Sequence, residues 1–165
     1  MGKNAAIDWI ISDQKKSNRP AVLNLSLGGL PNEPLEFGIL EVRKAGILVV
    51  SAAGNSRCNS CNISPARMPG VVTVGATDSS DSVSAFSNLG PCVNIFAPGD
   101  NILSASSLSD FGGAFLTGTS MAVPHVVGIA AQYLESHNGA SPEEVAASIL
   151  CAGTPGVIST RSNCK

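Results

Sequence analysis

Ile47-Leu48-Val49-Val50-Ser51-Ala52-Ala53 is an almost unbroken apolar run that ends on Gly54-Asn55. A run this short, rich in β-branched residues and without polar alternation, reads as a strand covered on both faces, as in a parallel sheet. Upstream, Ala21-Val22-Leu23-Asn24-Leu25-Ser26-Leu27 reads the same way, bounded by Pro20 and Gly28-Gly29. Between the two, Glu33 to about Ala45 reads as a helix closed by Gly46. Strand, helix, strand at this spacing is a βαβ unit, whose strands run parallel with a right-handed crossover. In open sheets of this kind ligands sit beyond the carboxyl ends of strands. Gly28-Gly29 and Gly54-Asn55 both stand at such ends.

The remaining chain extends the pattern. Asn4 to about Lys16 reads as an amphipathic helix, with Trp9, Ile10 and Ile11 on its apolar side. Ser56 to Pro69 is a polar loop, Val71 to Ala76 a third strand, and Asp78 to Asn88 a second loop. Val93 to Phe96 reads as a short strand. Ile102–Ala105 and Ala114–Thr117 pair as a hairpin. A long helix follows from about Thr119 to Ser136, and its Ala, Gly and Val content predicts burial through the centre. Pro124 is expected in its first turn, where a missing N–H costs little. Ser141-Pro142-Glu143-Glu144 opens a last helix with cap, proline and early acids. The prediction is one α/β domain over residues 1–165, three-layered, with a mostly parallel central sheet and helices on both faces.

Charged residues are 13% of the chain and the net charge is −2, with no basic run. Nucleic acid and anionic membrane surfaces are therefore poor partners. No apolar stretch reaches membrane-spanning length, and Met1-Gly2-Lys3-Asn4 carries no apolar signal core. There are five cysteines. Cys58-x-x-Cys61 has the spacing of a metal or redox pair, but no second pair or nearby histidine completes a zinc set. A secreted protein would pair four of the five; a cytosolic one would keep them as thiols.

Gly118-Thr119-Ser120-Met121-Ala122-Val123-Pro124-His125-Val126-Val127-Gly128 carries the chemistry. By position, Ser120 is an ordinary helix N-cap. That position can also serve a nucleophile, because orphan N–H groups and the positive dipole end favour a developing anion there. A serine hydroxyl needs a base, and neither histidine can serve. His125 lies about 7 Å along the helix from Ser120 and about 140° around it; His137 lies about 25 Å along. Asn55 after a glycine reads either as a turn residue tolerant of left-handed backbone or as a donor to an oxyanion.

The string Gly118 to Gly128 resembles the nucleophile motif of the subtilisin-like serine proteases. Ser26-Leu27-Gly28-Gly29, Ala52-Ala53-Gly54-Asn55, Ser64-Pro65-Ala66 and Phe86-Ser87-Asn88-x-Gly90 are most similar to the proteinase K branch. The resemblance runs from about Ile7 to Leu150. It implies Ser120 as nucleophile and Asn55 as oxyanion-hole donor. It also implies a cleft for extended peptide or protein substrate lined by Ser26, Leu27, Gly28, Gly29, Ala52, Ala53 and Gly54. The family's triad occurs in the order Asp, His, Ser, and no Asp-Ser/Thr-Gly or His-Gly-Thr-His segment is present. The chain therefore reads as the C-terminal portion of such a peptidase domain, inactive alone. The alternative is a truncated product that binds peptide without cutting it. In either case an unpaired apolar sheet edge would invite aggregation.

The chain is expected to be a monomer. The resemblance further implies secretion and a Cys61–Cys92 disulfide; Cys151 with Cys164 is a weaker pairing among the three cysteines left over. It gives His125 a buried hydrogen bond beside the helix. Similar proteases hold calcium with carbonyls near Pro69 and Val71 and an aspartate. The matching position here is Asn94, whose neutral amide weakens a hard-cation site. Asp78, Asp81 and Asp100 read as solvated loop acids, and no other cofactor is implied.

Overall fold

The computed structural model describes residues 3–158. Four parallel strands form the central sheet in the order β1 (Val22–Leu25), β2 (Leu48–Ala52), β3 (Val72–Thr77), β4 (Ile95–Pro98). Each crossover brings the chain back to the same end of the sheet, so the strand exits cluster there. Two helices lie on one face: α1 (Lys3–Ser17) and α2 (Glu33–Lys44). Two lie on the other: α3 (Thr119–Ser136) and α4 (Pro142–Ala152). A separate antiparallel hairpin, β5 (Ile102–Ala105) with β6 (Gly113–Leu116), leads into α3.

Alternation along β2 shows why its sequence has no polar face. Leu48, Val50 and Ala52 pack with Ala122, Val123, Val126 and Ala130 of α3 and Val145 and Ile149 of α4. Ile47 and Val49 turn the other way, onto Ile7, Leu35, Ile39 and Val42. Every residue of β2 and β3 is buried. This is the expected three-layer α/β arrangement.

Two expectations fail on the same side of the molecule. β1 was expected to be covered on both faces; its residues are half-buried or exposed because it is the edge strand. The long helix was expected to be central. One face of α3 is buried, through Ala122, Val123, Val126, Ala130 and Leu134, but Pro124, His125, Gly128, Ile129 and Ala131 are exposed. Its low polarity follows from tight packing on the sheet, which small residues permit, and says nothing about the opposite face.

The helix ends follow local chemistry. Asn32 caps α2, its side chain accepting from Leu35 N at 3.0 Å. Ser141 and Glu144 form a capping box at α4. The Ser141 backbone N–H and then its hydroxyl bind the Glu144 carboxylate and hold its pKa below the ordinary value. α3 differs: its cap position is Gly118, with no capping side chain of its own.

Candidate active site

The end of β2 meets the start of α3. Asn55, just past β2, turns its Oδ1 onto α3, where it accepts from Thr119 N at 2.9 Å and from Thr119 Oγ1 at 2.8 Å. Thr119 Oγ1 in turn accepts from Gly54 N at 3.2 Å. The missing cap of α3 is thus supplied from another element. With Oδ1 held, the orientation of the amide is fixed. Asn55 Nδ2 makes no hydrogen bond among the described residues, and the side chain is exposed. Neither does the Ser120 N–H, one of the orphan donors of a helix start. Both groups border the space above Gly118. A Cβ added at Gly118 would stand 3.3 Å from Asn55 Nδ2 and 3.8 Å from Ser120 N.

The residues flanking Asn55 are held in turn by Asn88, which is fully buried. Asn88 Oδ1 accepts from Ser56 N at 2.9 Å and Cys58 N at 3.0 Å, and Asn88 Nδ2 donates to Ala53 O at 2.8 Å. Asn88 N also donates to Gly54 O at 2.9 Å. Gly54 adopts φ +102, and a Cβ there would lie 2.4 Å from Asn88 Nδ2. Only glycine permits both the conformation and the approach. The two loops are further joined by Ser60 N to Leu89 O, Leu89 N to Cys58 O, and the Cys61–Cys92 disulfide. That bond is the pairing the resemblance implied, and it removes Cys61 from any metal or redox pair with Cys58. Cys151 is exposed, and Cys164, its suggested partner, lies outside the described residues.

Ser120 is tied to the end of β1. Its Oγ donates to Ser26 O at 3.2 Å, and Ser26 Oγ donates to Ser120 O at 2.9 Å, sharing its one proton with Asn24 Oδ1 at 3.0 Å. The second of these bonds has a cause in sequence. α3 begins at Thr119, so Pro124 is its sixth residue rather than part of its first turn. The N–H that proline lacks is the one that would bond Ser120 O in an α-helix. Ser26 takes the vacated carbonyl.

The candidate cleft segments Ser26–Gly29 and Ala52–Gly54 lie at the ends of adjacent strands. Gly29 pairs with Ser64 through Gly29 N to Ser64 O at 3.0 Å and Ser64 N to Gly29 O at 2.9 Å. Ser64 Oγ donates to Glu36, which also receives Arg67 Nε at 2.6 Å and Nη2 at 2.9 Å. The Arg67 guanidinium, aided by the Ser64 hydroxyl and opposed by burial, holds the Glu36 carboxyl below its usual range. Through Ser64 this clasp is joined to Gly29. Residue spacing gave no hint of it, because Glu36 lies on α2 and its partners in a distant loop.

The histidines stand away from Ser120. His125 Nδ1 is 2.9 Å from Met121 O, and the ring is exposed rather than buried as expected. It lies on the open face of α3. His137, just past the helix, stacks on Tyr133 at 4.0 Å. Asp100 is not merely solvated: its Oδ1 accepts from Thr117 Oγ1 at 2.8 Å and fastens the base of the hairpin. Asp78 Oδ1 closes a turn through Ser80 N and Ser82 N. Among the described residues no three His, Cys, Asp or Glu side chains gather as a metal site. The segment at Pro69, Val71 and Asn94 does not fit calcium either. Asn94 Oδ1 accepts from Thr73 N at 2.7 Å, and Pro69 O accepts from Arg43 Nη1 at 3.1 Å.

Residues 2–160 match the model of the subtilase family, peptidase S8. The chain belongs to the subtilase family. The extracellular serine proteinase of Thermus sp. (strain Rt41A) is 44% identical over 93% of this chain and 37% of its own length. The alkaline serine exoprotease A of Vibrio alginolyticus is 42% identical over 95% of this chain and 28% of its own. A crystal structure of a cold adapted subtilisin-like serine proteinase superposes with TM-score 0.89 at 42% identity, covering 94% of this subtilase chain and 55% of that one. This subtilase chain thus spans 37% and 28% of these two relatives, and just over half of the superposed chain.

Proposed function

We propose that these residues are the nucleophile-bearing part of a secreted serine endopeptidase acting on extended peptide or protein substrates. Ser120 Oγ attacks the peptide carbonyl. The oxyanion that forms occupies the space above Gly118, where Asn55 Nδ2 and Ser120 N–H donate to it. The observation that carries this reading is the fixed amide of Asn55: its oxygen is spent on Thr119, so its nitrogen faces that space. The substrate backbone runs along Ser26, Leu27, Gly28 and Gly29 on one side and Ala52, Ala53 and Gly54 on the other, by main-chain pairing. The general base and its orienting acid come from a part of the domain outside these residues. His125 and His137 face elsewhere, and here the Ser120 proton rests on a main-chain carbonyl, which is no base.

The same hydrogen bond favours a second reading for the chain alone, in which it binds extended peptide as a monomer without cutting it. A fluorogenic peptide assay separates the two. The 165-residue chain is expected to give no turnover above a Ser120→Ala control. Within an intact domain, Asn55→Ala is expected to cost about 100- to 1000-fold in kcat, the loss known for an oxyanion-hole asparagine in a subtilisin. Turnover by the chain alone that vanishes in Ser120→Ala overturns the assignment of the base. An intact domain indifferent to Asn55→Ala overturns the oxyanion hole.

A further inference from the structure

Arg43 projects from the last turn of α2 onto the loop that enters β3. Its Nη1 donates to Pro69 O at 3.1 Å, and its Nη2 lies 2.9 Å from Glu143 Oε1 at the start of α4. Only 22% of the side chain is exposed. The guanidinium lies directly against Gly70, which has φ +76: a Cβ there would fall 2.1 Å from Nη2 and 2.2 Å from Cζ. Position 70 therefore admits only glycine while Arg43 is seated.

This turn is also where the family resemblance would put calcium, with carbonyls from Pro69 and Val71 and an acid at position 94. The acid is absent. Asn94 spends its oxygen on Thr73 N–H, closing β4 onto β3. A hard divalent cation needs several free oxygens and carboxylate charge, whereas a guanidinium donates to carbonyls and is charged at every working pH. We propose that Arg43 is the resident cation of this turn and makes it independent of any divalent ion. Three residues distant in sequence agree on this. Arg43 supplies the charge, Gly70 the room, and Asn94 the neutral partner, while Glu143 balances the guanidinium and ties the turn to α4. A dication approaching Pro69 O meets a fixed positive charge instead of a carboxylate.

The test is thermal unfolding of the full chain by circular dichroism in excess EDTA and in millimolar calcium. A calcium site filled to a hundred times its Kd would raise Tm by about 5–10 °C. The natural chain is expected to show the same Tm in both buffers and no calcium heat in titration calorimetry. Asn94→Asp with Arg43 in place is expected to stay insensitive. Arg43→Gln combined with Asn94→Asp is expected to gain the calcium-dependent rise. A rise in the natural chain or in Asn94→Asp overturns the proposal. So does a double variant that folds yet ignores calcium, because the turn would then be no cation seat. Should the double variant not fold, Asn94→Asp alone still decides. None of these readouts depends on the chemistry of Ser120.

Discussion

The two sides of the α3 N-terminus are built in opposite ways. Towards β2, the 53–61 and 86–92 loops are joined by the Asn88 amide and by main-chain pairs, and the disulfide locks them together. Towards β1, the sheet ends on an edge with no neighbouring strand among the described residues. A groove of about 460 Å³ opens there between Pro20, Ala21 and Val22 and the Val127, Ala131 and Leu134 flank of α3. The closed side holds Asn55 in one orientation by contacts wholly within these residues. The open side leaves apolar surface exposed, and nearly half of the superposed relative has no counterpart in this chain. Precision at the candidate oxyanion hole is therefore a local property, whereas completeness of the sheet is not. Three substitutions probe the contrast.

Asn88→Ala should have the largest effect. It empties a fully buried position, strips Ala53 O of its partner in the core and Ser56 N and Cys58 N of theirs in the part-buried loop, and an unmet buried group costs about 1–3 kcal/mol. A loss of about 3–5 kcal/mol in urea unfolding is expected. A loss below about 1 kcal/mol would mean the loop holds without its buried amide, and the closed side would lose its stated cause.

Ser26→Ala should act less strongly and conditionally. Ser120 O would lose the donor that stands in for the N–H absent at Pro124, at a cost of about 0.5–1.5 kcal/mol. Pro124→Ala restores a helical N–H to that carbonyl. In its background Ser26→Ala should become nearly neutral, a coupling that a double-mutant cycle reads directly. Equal costs in both backgrounds would show that Ser26 matters for some reason other than the proline.

These residues also mark how far the sequence could be read. Short β-branched runs and helix caps gave the elements, because strand burial and capping leave signals within a few residues. The strand ends placed Gly28-Gly29 and Gly54-Asn55 on one rim of the sheet, where the structure has them. Pairings between loops left no such signal. Asn88 was legible only as part of a family string, and nothing near it points to Ala53 or Cys58. The clasp of Glu36, Ser64 and Arg67 and the seat of Arg43 likewise join residues far apart in the chain. Nor could periodicity distinguish an edge strand from an inner one: Val22-Leu23-Asn24-Leu25 and Leu48-Val49-Val50 are similarly apolar, and only the absence of a neighbour separates them.

That absence gives the smallest expected effect. Ala131 is exposed and lines the groove beside β1 on the flank of α3. Ala131→Lys removes little buried area and places a charge where water already reaches, so stability should change by no more than about 0.5 kcal/mol. Self-association is the property that should respond. Exposed apolar flanks beside a free strand edge favour sticking, and a lysine there should lower the sedimentation-average mass at high protein concentration. If Ala131→Lys instead costs about 2 kcal/mol or more, Ala131 is packed in solution. The open flank would then already be covered, and the contrast between the two sides of α3 would belong to this arrangement of the chain rather than to the protein in water.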